Sequence, residues 1–124
     1  MSRRALVVDD DAVSRLVLGH MLRGLQWTVE QAVDAPDAAS HLDNAEFDLV
    51  ISDFLLPSGT GVDVLRTVER RHPGTAFVLV TGFIEHSTLP PETTARLSGQ
   101  LTKPVSSDTL RTVLDELFPA AGTP

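Results

Sequence analysis

Three features of the sequence predict a single α/β domain, a doubly wound parallel sheet of five strands with helices on both faces. Short apolar runs bounded by turn residues alternate with longer stretches of helical period, close to five of each, as βαβ units require. Ala5 to Val8, Asp48 to Ser52 and Ala76 to Val80 are almost continuously apolar, as strands covered on both sides must be. Acidic or polar residues follow those runs, at the carboxyl ends where open parallel sheets bind their ligands.

In chain order, Ala5 to Val8 is the first strand. The helix after it is expected to turn Val13, Leu16, Val17 and Met21 inward as one face, with Asp11 as its N-cap. Thr28 to Val33 is a weaker strand with polar interruptions, expected near an edge, and Trp27 packs at its start. Pro36 to Asn44 reads as a short helix, Pro-led and with Leu42 inward. Beyond the third strand, Val62, Leu65 and Val68, bordered by Glu69, mark the third helix. The fourth must lie within Gly82 to Gly99, where Pro90 and Pro91 bar a helix interior before them. A short helix after Pro91, preceded by a mobile loop, is expected. Gln100 to Thr102 is a fifth strand, also near an edge, and Leu110, Val113, Leu114 and Leu117 give the strongest helical face. Residues 1–118 therefore form the domain, and 119–124, Pro-Ala-Ala-Gly-Thr-Pro, read as a flexible tail or the start of a linker.

Composition narrows the function. With 42% hydrophobic and 22% charged residues in 124, the chain can build a real core. Its net charge of -7 disfavours direct nucleic-acid binding, which relies on Lys and Arg to displace counterions. There are no cysteines, so disulfides and thiolate metal sites are excluded. No apolar run approaches the roughly 20 residues of a membrane span, and no signal-peptide pattern follows Met1. A cytoplasmic protein without membrane contact is the expectation.

The residues that follow the strands carry the chemistry. Asp9, Asp10 and Asp11 follow the first strand, Asp53 the third, Thr81 the fourth and Lys103-Pro104 the fifth. Carboxylates gathered at one rim cannot all ionise comfortably unless a cation offsets them, and an oxygen-only cage suits Mg²⁺. Once screened by the metal and Lys103, a carboxylate can attack an incoming phosphoryl group and form an aspartyl phosphate. Asp53 is the best nucleophile because it closes a central strand, with Pro57, Gly59 and Gly61 shaping the loop beyond it. Thr81 can donate to a phosphoryl oxygen, and Lys103 can pair with the charge that builds on it. His20, His41, His72 and His86 have no metal-ligand spacing and receive no role.

Val7-Val8-Asp9-Asp10, Asp53 with Pro57 and Gly61 after it, Thr81 28 residues beyond Asp53, and Lys103-Pro104 22 beyond Thr81 together resemble the receiver domain of bacterial response regulators. The likeness runs from about Arg4 to Phe118. It implies a flavodoxin-like (βα)5 fold with strand order 2-1-3-4-5. It implies Mg²⁺ (or Mn²⁺) bound by Asp10, Asp53 and the backbone carbonyl of Leu55, with Asp9 partly through water. It further implies phosphorylation of Asp53 from the phosphohistidine of a histidine kinase or histidine phosphotransfer protein, and a cis peptide before Pro104. A downstream protein would bind the face formed by the fourth helix, fifth strand and fifth helix. Such a domain is not an enzyme beyond its own phosphorylation and dephosphorylation.

Some positions depart from that pattern. Gln100 stands where many receivers carry the Tyr or Phe whose ring follows the threonine, so Thr81, Gln100 and Pro104 form a switch region without the swinging aromatic. Gly82 replaces a commoner Ala and frees the following loop. Leu55 and Phe83, both apolar, are expected to slow hydrolysis by excluding water. Two alternatives stay open: a receiver-like interaction module that works without phosphorylation, and a haloacid-dehalogenase-type phosphatase using Asp9 of Asp9-x-Asp11-x-Val13 as nucleophile. In the second, Asp53 would have no role and a later strand would have to supply further acids.

Overall fold

The computed structural model describes residues 3–82 and 89–119. Strand β1 (Arg4–Val8) is followed by helix α1 (Ala12–Gly24), β2 (Thr28–Ala32), α2 (Ala35–Asn44) and β3 (Leu49–Asp53). A two-strand ribbon, β4 (Leu55–Leu56) and β5 (Gly59–Thr60), leads into α3 (Gly61–Arg71) and β6 (Ala76–Thr81). The short α4 (Pro91–Thr94), β7 (Gly99–Thr102) and α5 (Ser107–Leu117) complete the chain. The main sheet has the order β2-β1-β3-β6-β7, every pair parallel. Counting its strands alone, this is 2-1-3-4-5, the expected α/β architecture, with the two weaker strands at the edges. The chain steps from β1 outward to β2 and then back across to β3, so the carboxyl ends of β1 and β3 flank the crevice where such sheets bind ligands.

Alternation along the strands sorts the core into two layers. Ala5, Val7, Leu49, Ile51, Val78, Val80 and Leu101 meet Leu18 and Leu22 of α1 and Leu110 and Leu114 of α5. Leu6, Val8, Val50, Phe77 and Leu79 meet Ala38 and Leu42 of α2 and Val64, Leu65 and Val68 of α3. Trp27 is buried beside the first layer, edge-on to Phe118 with centroids 5.1 Å apart.

Helix α1 departs from expectation. Its buried residues are Leu18, Gly19 and Leu22, whereas Val13, Leu16 and Val17 are 65%, 60% and 46% exposed, and only Met21 of the expected face packs on the core. At about 100° per residue the helix carries two apolar arcs, and Arg15 and Gly19 border the inward one, so the outer arc looked the more continuous. A smaller correction applies to α3, where Val64 takes the buried place expected of Val62.

Helix starts follow local chemistry. Asp11 caps α1 through its side chain, Asp34 caps α2 with Pro36 in the first turn, and Ser106 caps α5. Thr60 and Asp63 form a reciprocal capping box on α3 that the sequence reading missed. The ribbon before it turns at Gly59, whose φ of 123° favours glycine. The fourth helix is short, as expected, but starts at Pro91 itself rather than after it, since a proline is tolerated in a helix's first turn; the loop ahead of it, with Phe83 and His86, lies outside the described residues, as does the tail beyond Pro119.

The two arcs of α1 give a direct test by urea denaturation. Leu22→Ala is expected to cost about 2–5 kcal/mol by leaving a cavity, and Leu16→Ala to stay within about 0.5 kcal/mol.

Candidate functional site

One more rung of the sheet ladder fixes the backbone just past the ends of β1, β3 and β7. Asp9 N–H donates to the Ala32 carbonyl at 3.1 Å, Phe54 N–H to Val80 at 2.9 Å, and Lys103 N–H to Thr81 at 2.9 Å. Backbone pairing thereby brings residues distant in sequence to one rim. Carboxylate oxygens of Asp9, Asp10 and Asp53 lie within 4.8 Å of one another. Lys103 Nζ is 3.0 Å from Asp53 Oδ2 and 3.5 Å from Asp9 Oδ2. Asp9 is 2% exposed, Asp53 half-buried and Asp10 exposed, so the cluster opens to solvent on the Asp10 side.

The remaining candidates fall around this centre. Thr81 is fully buried, and its hydroxyl finds no partner among the described residues. An orphaned hydroxyl in a buried place is costly, and its position beside the acidic rim leaves it as a donor in reserve. The Lys103–Pro104 peptide is cis. Leu55 sits two residues past Asp53 in β4, its side chain 56% exposed. Gln100 is partly buried on β7, opposite Leu79. Asp11 does not join the cluster; it accepts from Ser14 Oγ at 2.8 Å, while its N–H donates to Asp9 Oδ1 at 2.9 Å.

Gly61 lets the loop close on the end of β3. Its N–H donates to the Phe54 carbonyl at 2.8 Å, and a Cβ there would fall 2.7 Å from the Asp53 carbonyl oxygen and 2.6 Å from Leu79 Cδ1. No side chain fits without moving the backbone that carries Asp53.

Three clustered carboxylates, two of them paired with one ammonium, form a hard oxygen donor set with excess negative charge, which fits a divalent cation such as Mg²⁺.

The sequence profile of the response regulator receiver domain matches residues 5–115. The chain belongs to the response regulator receiver domain family. It is 33% identical over 112 residues to the response regulator protein PilR of Pseudomonas aeruginosa, covering 90% of this chain and 25% of PilR. With chemotaxis protein CheY of the same organism it shares 27% over 118 residues, covering 93% of this chain and 95% of CheY. The chain thus spans a quarter of the first relative and nearly all of the second. A CheY-like receiver domain from Methylobacillus flagellatus has the same fold, with a TM-score of 0.87 at 22% identity over 94% of this chain and 99% of that one. CheY4 of Vibrio cholerae gives 0.81 at 26% identity, over 95% and 100%.

Electrostatics in this receiver follow from the crowding. Burial pushes the Asp53 carboxyl above its usual 3.8, and the Asp9 charge adds to that, against the opposing pull of Lys103. For Lys103, burial works to lower the value, but the hydrogen bond and charge of Asp53 outweigh it and hold the ammonium above 10.5. Lys103 therefore stabilises the fold fully below its unfolded value, and that contribution is lost as pH rises through the higher folded one. Asp53 acts in the same direction at lower pH: the folded state holds its proton more tightly than the unfolded chain, so stability falls as pH rises from 3.8 through the raised value.

At neutral pH the ionised Asp53 burdens the fold. Asp53→Asn is expected to raise the Tm in metal-free buffer, with the gain disappearing below the ordinary carboxyl range; an unchanged or lower Tm at neutral pH would contradict this origin. Gly61→Ala is expected to destabilise by about 1–3 kcal/mol through overpacking, measured by urea denaturation.

Proposed function

We propose that this receiver is a phosphoryl-accepting switch of a two-component or phosphorelay system, phosphorylated on Asp53 from the phosphohistidine of a histidine kinase or histidine phosphotransfer protein. The observation that carries the reading is the Asp53 carboxylate 3.0 Å from Lys103 Nζ and clustered with Asp9 and Asp10. Asp10, Asp53 and the Leu55 carbonyl would hold Mg²⁺ or Mn²⁺, with Asp9 acting partly through water. The bound cation would neutralise charge on the attacking and transferred oxygens.

An Asp53 oxygen forms the bond to phosphorus as the bond from phosphorus to the donor's imidazole nitrogen breaks. Lys103, already paired with that carboxylate, stays beside the transferred oxygens and offsets their charge. Thr81 gives its unpartnered hydroxyl to a phosphoryl oxygen. Hydrolysis later returns Asp53 to the carboxylate, so the domain turns over no external substrate and acts only on its own side chain. Leu55, exposed at the rim, is the described half of the apolar pair proposed to exclude water.

The outer arc of α1 supports a place for the donor. Val13 and Val17 border a groove of about 400 Å³ that reaches Asp9, Lys103, Pro104 and Val105. An apolar surface next to the acceptor suits a helical donor that must bring its phosphohistidine to Asp53. The output surface is the face of α4, β7 and α5, where Gln100 lies on the edge strand and Thr81 pairs with Thr102. Among the described residues no helix is long and apolar enough to cross a membrane, and in this reading the domain works in the cytoplasm.

An interaction module that works without phosphorylation remains the second reading, favoured by Gln100 in place of an aromatic. A phosphatase acting through Asp9 is disfavoured by the burial of that carboxylate and, among the described residues, by the lack of a strand after Lys103.

Intact mass after incubation with Mg²⁺ and acetyl phosphate tests the proposal. The wild type is expected to gain one phosphoryl group and Asp53→Ala none, with chelation of the metal abolishing the gain. No gain with either acetyl phosphate or a phosphohistidine donor would leave the interaction module.

A further inference from the structure

The carbonyl of Asp9 occupies an awkward place in the sheet. Asp9 N–H continues the β1–β2 ladder onto Ala32, and in a parallel ladder the Asp9 carbonyl would then accept from a residue two further along β2. That residue is Asp34, where the strand has ended and the chain has become the N-cap of α2. Val33, between them, gives its N–H to Asp37 Oδ2 at 3.0 Å. The Asp9 carbonyl has therefore lost its ladder donor next to a buried carboxylate. Arg15 supplies the replacement: its Nη1 donates to that carbonyl at 2.7 Å.

Arg15 is itself braced. Its Nε donates to Gln31 Oε1 at 3.3 Å, from the residue before Ala32 on β2. Gln31 lies against α1 at the buried Gly19, where a Cβ would come within 3.6 Å of the Gln31 amide nitrogen. The carbonyl that Arg15 grips belongs to the peptide joining Asp9 to Asp10, so holding it fixes the relative orientation of two of the three clustered acids.

We propose that Arg15, braced by Gln31, is a positioning residue for the metal end of the acidic site, acting through the Asp9–Asp10 peptide. The proposal rests on the reading that this cluster binds Mg²⁺ or Mn²⁺. Charge and position predict opposite signs here. A guanidinium beside the acids repels an incoming cation, so by charge alone its removal tightens metal binding. By position, its removal orphans a buried carbonyl, lets the turn shift and weakens metal binding, as loss of groups that orient metal ligands commonly does by 10- to 100-fold.

Titration of Mn²⁺ into the full chain by calorimetry separates the two, with wild type, Arg15→Ala, Arg15→Lys and Gln31→Ala compared. Arg15→Ala is expected to weaken Mn²⁺ binding about tenfold, Gln31→Ala less, and Arg15→Lys to recover part of the loss. At saturating metal the rate of phosphorylation by acetyl phosphate should return to that of the wild type. A merely structural role would lower the Tm and leave the dissociation constant alone. Unchanged or tighter binding in Arg15→Ala overturns the proposal; should that variant fail to fold, unchanged binding in both Gln31→Ala and Arg15→Lys does so. A wild type that binds neither Mn²⁺ nor Mg²⁺ removes the metal reading beneath it.

Discussion

The crowding of like charges at the carboxyl ends of β1 and β3 is the constraint around which this receiver is organised. Asp9, Asp10 and Asp53 are brought together by parallel pairing of strands on which they play no part as core residues. The fold meets their repulsion with one ammonium from β7's end and leaves the remaining negative charge unbalanced. Burial and like charge work against ionisation of Asp53, the side chain on which the proposed chemistry depends. A site with less conflict would be more stable and, under the proposed function, less able to register the arrival of metal or a phosphoryl group.

The scaffold that holds this conflict is made of ordinary parts. Two apolar layers clamp the sheet, and single ladder bonds beyond the strands of β1, β3 and β7 set the positions of Asp9, Phe54 and Lys103. The same economy operates in the loop, where a bare Gly61 allows the N-terminus of α3 to lie against the Asp53 backbone. Chemistry and packing meet at this point, since Leu79, the other neighbour of Gly61, belongs to the core layer under α3.

Much of this was legible in the sequence, for physical reasons. Strands covered on both faces need near-continuous apolar runs, which made β1, β3 and β6 plain, and acids closing two of them exposed the site. The weak strands belong near the edges, β2 by its polar interruptions and β7 by its short, low-propensity run. Helix α1 misled because amphipathicity identifies an apolar arc without saying whether the core or another surface covers it. Arg15 on the inward border strengthened the error, since a charged residue there reads as solvent-facing until its carbonyl partner is seen. The Thr60–Asp63 capping box could have been found from its spacing. The Arg15–Gln31 brace could not, because it depends on where β2 stops pairing.

The doubled apolar character of α1 has a consequence for how such a protein diverges. Leu18 and Leu22 are committed to the interior, but Val13, Leu16 and Val17 touch little of it. Substitutions on the outer arc are nearly free of the cost to folding that restricts the inner one. After gene duplication, two copies could therefore drift toward different signalling partners by rewriting three or four exposed positions, while the interior and the acidic site stayed as they were.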